Sequence, residues 1–164
     1  MALNLYIYSG LGNIIAIVDS VREDISLDAE DVLNLQNNKS ISFDQLIRVL
    51  PPQDPENNFD VEIYNNDGST ASNCINGARC VAKFIEDHSL SVSKQLKVNT
   101  IGGIWRLESM SEENYSATFL LSDVIKPISI SIEEMNLNLD CVSLGNPHGI
   151  AFQDTNPEFD LLKI

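Results

Sequence analysis

Apolar and polar residues alternate near the start of the chain, where Leu3, Leu5 and Ile7 are interleaved with Asn4, Tyr6 and Tyr8; this period of two predicts a strand. After Gly10-Leu11-Gly12-Asn13, the unbroken apolar run from Ile14 to Val18 predicts a second strand joined to the first by a Gly-rich turn. Between Asp28 and Gln36 the period changes. Ala29, Val32, Leu33 and Leu35 fall at near-helical spacing, with Ser26 or Asp28 placed as an N-cap. Phe43 to Leu50 reads as a strand, ended by Pro51-Pro52 because proline has no N–H to give a ladder. Phe59, Val61 and Ile63 alternate with Asp60, Glu62 and Tyr64, up to the turn Asn65-Asn66-Asp67-Gly68-Ser69.

From Asn76 to Asp87 the residues Ala78, Val81, Ala82, Phe84 and Ile85 cover a broad face at helical spacing, which predicts a largely buried central helix. Leu96 to Thr100, Ile104 to Leu107, Tyr115 to Leu121 and Cys141 to Leu144 read as strands, with Gly102-Gly103 joining the first two as a hairpin. No repeat or linker interrupts the pattern. It predicts an α+β fold, a single domain over residues 1–164, with a mainly antiparallel, barrel-like sheet around the Asn76 to Asp87 helix.

Composition narrows the chemistry. The chain has 164 residues, 43% hydrophobic and 21% charged, enough to bury a core without disulfide or metal staples. Ten Lys plus Arg against 24 Asp plus Glu leave a net charge of −14, which repels phosphate backbones and anionic lipid surfaces. Neither nucleic acid nor membrane is expected as a partner. No run approaches the apolar length of a membrane span, and Met1 to Ser9 lacks the basic region of an export signal. Cys74, Cys80 and Cys141 form an odd set without metal-ligand spacing, and His88 and His148 are the only histidines. The expectation is a cytoplasmic protein with no metal.

Candidate chemistry concentrates between Asn65 and Cys80. Cys74 directly precedes the start of the buried helix, where unpaired N–H groups and the helix dipole favour a thiolate, so a lowered pKa is expected. The same N–H groups suit a carboxylate, and Arg79 is the only basic side chain in the stretch. The alternative is that Cys74 is a small residue in a turn; Cys80, inside the helix, reads as core. Gly145-Asn146-Pro147-His148 offers Asn and His side chains at a strand end, or else an ordinary Asn-Pro turn. The glycines of Gly10-Leu11-Gly12-Asn13 permit close backbone approach to a ligand, and Asp44-Gln45 is a polar pair in an apolar setting.

These segments together resemble the amino-terminal half of the diaminopimelate epimerase family. The resemblance rests on Gly10-Leu11-Gly12-Asn13, Phe43-Asp44-Gln45-Leu46, Pro51-Pro52 with Asp54-Pro55-Glu56, Asn65-Asn66-Asp67-Gly68-Ser69, Cys74 with Asn76-Gly77-Ala78-Arg79-Cys80, and Gly145-Asn146-Pro147-His148. All six occur in family order.

The resemblance implies one lobe of an epimerase fold and an isomerase without pyridoxal phosphate or any other cofactor. It implies inversion at the α-carbon of diaminopimelate or a related amino acid, as in lysine biosynthesis, by a thiolate on one face and a thiol on the other. On the family pattern Cys74 is one of that pair, Asn13, Gln45, Asn65, Asn76, Gly77 and Asn146 contact substrate, and His148 lies near the reacting centre. A non-catalytic amino-acid-binding module, or an isomerase of another substrate, are the competing readings. The chain departs from the family at Ile75, where glycine is usual and where a β-branched residue resists positive φ, and at Ser9 and Ile14 in place of His and Asp. The second cysteine and the second anion-binding helix belong to the family's other lobe, so a homodimer or a second-lobe partner is expected.

Overall fold

A computed structural model describes residues 3–37, 42–111, 114–120, 123–132, 135–143 and 147–152. They fall in two compact units, Met1–Leu120 and Leu121–Ile164. In the first unit the strands are β1 (Tyr6–Gly10), β2 (Asn13–Asp19), β3 (Gln45–Leu50), β4 (Phe59–Asn65), β5 (Thr70–Ala71), β6 (Gln95–Thr100), β7 (Gly103–Ser111) and β8 (Asn114–Thr118). The helices are α1 (Ala29–Asn37) and α2 (Ile75–Asp87). One sheet runs β1-β2-β3-β4-β6-β7-β8, with β5 paired to β4. Only β2 with β3 and β4 with β6 pair in parallel, so the sheet is mainly antiparallel.

The sheet curls into a half-barrel. Helix α2 packs against β1, β2 and β3 and also against β7 and β8, which lie at the opposite end of the strand order. Its Ala78, Val81, Phe84 and Ile85 are at most 1% exposed and share a core with Ile15, Ile17, Ile47, Val98 and Trp105. Each such large apolar side chain contributes roughly 1.5–3 kcal/mol on burial. On the opposite face of β2 and β3, Val32 of α1 and Leu27 pack with Ala16, Val18, Leu46 and Tyr64 in a second cluster. Strand β2 is therefore covered on both faces, which is why Ile15 to Val18 is continuously apolar and not alternating.

Capping sets the helix ends. Asp28 and Asp31 exchange backbone–carboxylate hydrogen bonds, Asp31 N to Asp28 Oδ1 at 3.0 Å and Asp28 N to Asp31 Oδ2 at 3.1 Å, so Asp28 is the cap that starts α1. Between β1 and β2 the two-residue turn Leu11-Gly12 has φ of 50° and 92°, the left-handed pair a tight hairpin requires. Gly10 serves packing: a Cβ there would lie 2.8 Å from Asn76 O and 2.9 Å from Cys80 Sγ. The close approach expected of this loop is made to helix α2.

The second unit is a three-stranded antiparallel sheet of β9 (Asp123–Ile132), β10 (Met135–Ser143) and β11 (Pro147–Ile150), in the order β11-β10-β9. Strand β9 was not expected from sequence, and β10 begins earlier than the predicted Cys141. The register shifts between Leu139 and Cys141, opposite Lys126 and Pro127, so the proline sits at a ladder irregularity where its missing N–H is tolerated. Pro147 and His148, read as part of a turn, belong to β11; Leu144, Gly145 and Asn146 lie outside the described residues.

The close fit of β1 on α2 makes Gly10→Ala costly. It is expected to lower stability by about 1–3 kcal/mol, the usual range for overpacking, seen as a lower urea midpoint at unchanged slope. A midpoint equal to wild type would contradict this packing.

Candidate functional site

At one end of the curled sheet the starts of β2 and β3, the end of β4 and the N-terminus of α2 meet. Parallel pairing puts the starts of β2 and β3 side by side, and antiparallel pairing sets Gln45 opposite Asn65. Gln45 Nε2 donates to Asn65 Oδ1 at 2.9 Å. Asn13, first residue of β2, accepts a hydrogen bond from Asn76 Nδ2 at 2.7 Å and donates to Asp44 Oδ2 at 3.3 Å. Asn76 Oδ1 accepts from Arg79 Nη2 at 3.1 Å. Asn13, Gln45, Asn65, Cys74, Asn76 and Gly77 are therefore all gathered at this end. His148 is in the second unit, exposed, opposite Val142 of β10. Asn146 lies outside the described residues.

Cys74 is the N-cap of α2. It has extended backbone (φ −145°, ψ 96°), and its Sγ accepts the Gly77 N–H at 3.1 Å. Gly77 makes this contact physically achievable, since a Cβ there would lie 2.5 Å from Ile47 Cδ1 and 2.8 Å from Cys74 Sγ. The loop before the cap is braced from the far end of the sheet order. Gly102 N donates to Ser72 O at 2.9 Å, and Trp105 Nε1 to Asn73 Oδ1 at 2.7 Å. Sequence reading missed this brace. Its one signal was Gly102, where a Cβ would lie 2.5 Å from Ser72 O.

Two expectations are corrected. The Cys74 thiol is pushed up from its ordinary pKa, not down: burial dominates, and the hydrogen bonds from the Gly77 and Asn76 backbone oppose it only in part. Cys74 is 8% exposed, a depth that sequence position did not reveal. Ile75, in turn, is the first residue of α2 and is not among the described residues with positive φ, so its β-branch meets no backbone conflict. Cys80 is buried, as its helical position predicted, and its thiol is pushed up to about 11, again mainly by burial.

A groove between the edge strands β1 and β8 runs over α2, lined by Tyr8, Gly10, Arg79, Cys80, Lys83 and Tyr115. Among the described residues, no cluster of three or more His, Cys, Asp or Glu side chains is placed to hold a metal ion, and no helix is long and apolar enough to cross a membrane.

The family model of diaminopimelate epimerase matches residues 5–124. The chain belongs to the diaminopimelate epimerase family. A diaminopimelate epimerase from Laribacter hongkongensis (strain HLHK9) is 33% identical over 94% of this chain and 60% of its own length. One from Coxiella burnetii (strain Dugway 5J108-111) is 29% identical over 92% of this chain and 59% of its own. The chain thus spans about 60% of the length of these curated relatives. The fold is shared with the crystal structure of a hydroxyproline epimerase from Agrobacterium vitis with bound trans-4-OH-L-proline, at a TM-score of 0.69 and 12% identity, over 90% of this chain and 50% of that one. The curled lobe around a central helix is thus an epimerase-type fold.

Exposure and ionisation give a direct order of thiol reactivity. In brief, limiting alkylation near neutral pH, partly exposed Cys141 is expected to label before Cys74 and Cys80; peptide mapping that found Cys74 first would restore the thiolate. Both buried thiols hold their protons to higher pH in the folded than in the unfolded chain, so their contribution to stability is full below about pH 9 and falls as pH rises above it; for Cys80 it is lost as pH rises through about 11. Urea midpoints from pH 9.0 to about 11 should therefore fall less steeply for Cys80→Ala than for wild type.

Proposed function

We propose that the chain is the substrate-binding first lobe of a diaminopimelate epimerase, in which Cys74 exchanges a proton with the α-carbon of the amino acid. The observation that carries this reading is Cys74 capping α2 at the sheet end where Asn13, Gln45, Asn65 and Asn76 converge. A carboxylate set against the α2 N-terminus would meet N–H donors and the positive end of the helix dipole. Those donors oppose the charge that builds on the α-carbon and its carboxylate as the proton leaves. In the unliganded chain Cys74 is held as the neutral thiol, the form that delivers a proton. The base on the opposite face is then a second thiol from another lobe, carried by the rest of a longer chain, a partner protein or a second copy. On the family pattern Asn146 and His148 are further substrate contacts, and no cofactor takes part. Lysine biosynthesis in the cytoplasm is the setting this activity implies.

α-Proton exchange of diaminopimelate in deuterated water tests the reading, run with the chain alone and with a complementary second lobe added. With the second lobe present to supply the base, exchange with wild type is expected, and Cys74→Ala should lower its rate about 100-fold or more, the usual scale of a positioned acid–base group; the chain alone, with its thiol neutral, should exchange far more slowly. Exchange that persists undiminished in Cys74→Ala would remove Cys74 from the reaction.

A further inference from the structure

A carboxamide presents a donor on one side and an acceptor on the other, and a half-turn of the group exchanges them. Four such groups stand at the site, so what binds there depends on which way each is turned. Two of them are fixed from both ends of one hydrogen-bond chain. Arg79 carries only donors and gives one to Asn76 Oδ1 at 3.1 Å. Asn76 Nδ2 then donates to Asn13 Oδ1 at 2.7 Å, and Asn13 Nδ2 donates to Asp44 Oδ2 at 3.3 Å. Ionised Asp44 only accepts, and the same oxygen also takes the Ile14 N–H at 2.8 Å. With a donor-only group at the head and an acceptor-only group at the tail, turning either amide would set N–H against N–H at one contact or oxygen against oxygen at another.

A second chain runs alongside. Gln45 Nε2 donates to Asn65 Oδ1 at 2.9 Å, Asn65 Nδ2 to Ser69 Oγ at 3.0 Å, and the Ser69 hydroxyl to Asp67 Oδ1 at 2.6 Å. Asp67 also accepts the Ser69 N–H at 2.9 Å. Here the acceptor end alone sets the direction. The two chains are joined through the adjacent residues Asp44 and Gln45.

We propose that Arg79, Asp44 and Asp67 are positioning residues that fix the amide orientations of Asn13, Asn76 and Asn65, so that this end of the sheet offers a ligand N–H donors. Each Nδ2 has two N–H bonds and gives one to its neighbour, which leaves a second on each of the three amides. Such a set suits a carboxylate and not an ammonium group; this clause about the ligand rests on the function proposed above, whereas the orientation does not. In a chain of net charge −14, neutral donors with fixed direction accept an anion without a cation at each contact.

Side-chain amide signals in 1H–15N spectra of the free chain test the orientation. In the Asn13 and Asn76 pairs the hydrogen-bonded N–H is expected to exchange slowly with solvent. Arg79→Gln, whose amide can point either way, should make both pairs exchange fast and leave Gln45 and Asn65 unchanged, while Arg79→Lys, still donor-only, should preserve them. Asp44→Asn should disturb the first chain, and Asp67→Asn the Asn65 and Gln45 signals alone. Unchanged Asn13 and Asn76 signals in both Arg79→Gln and Asp44→Asn, equal disturbance of all four amides, or failure of Arg79→Lys to preserve them would overturn the proposal. In titrations with diaminopimelate, Arg79→Gln should bind about tenfold more weakly than Arg79→Lys, the effect of losing one well-directed hydrogen bond to a charged group. Absence of binding to wild type, with the amide signals behaving as stated, would overturn the ligand clause and the proposed function while the orientation stands.

Discussion

Helix α2 is gripped by both ends of one sheet, and the position of every site residue in the first unit follows from that closure. A helix of 13 residues is about 20 Å long, so its two ends fall at opposite ends of the strands it packs on. Phe84 and Val81 pin its middle in the core, and Gly10 lets β1 approach until no Cβ would fit. The N-terminus is then obliged to emerge where β2 and β3 begin and β4 ends. Polar side chains collect there because strand ends and a helix start all present backbone groups that the ladders and the helix leave unpaired.

The same closure sets the electrostatics of Cys74. A helix N-terminus favours a thiolate, but the cap that brings Sγ onto the Gly77 N–H also buries it among Ile47 and its neighbours. Burial acts on the whole charge, whereas each N–H contributes one hydrogen bond, and burial prevails. A ligand carboxylate that approached the helix start would add negative charge nearby and favour the neutral thiol further. Cys74 as a proton donor is thus consistent with its surroundings in the free chain.

Much of this was legible in the sequence, and the gaps have physical causes. Alternation in Phe59 to Tyr64 and the broad apolar face of Asn76 to Asp87 identified β4 and α2, because a period of two marks a strand and one near 3.6 a helix. Strand β9 carries the alternation Ile128-Ser129-Ile130-Ser131, but it also contains Pro127, which has no N–H for a ladder and is tolerated at a register shift that no local pattern announces. The turn between β6 and β7 is Ile101-Gly102, one residue before the predicted glycine pair, since register depends on the partner strand as well as on turn residues. The six first-unit residues carried over by resemblance do converge, yet the depth of Cys74 and the helical place of Ile75 depended on tertiary contacts. Asp44 and Arg79 were noticed as a polar residue in a strand and a lone cation; their partnership through two amides exists only after folding.

One helix has one N-terminus, and this bounds what the first unit can do by itself. A cap cysteine fixed by α2 reaches a ligand from one side, because the backbone that holds it also closes the other side with the core. Inversion at a tetrahedral carbon needs proton transfer on two opposite faces. In the proposed reaction a second thiol must therefore approach from a surface facing the open sheet end, and a second helix start is the simplest way to hold it by the same means. The exposed side chains of Leu11 and Ile14 at the β1–β2 turn border that end, so the same surface that would admit a second lobe also carries apolar area for it to cover.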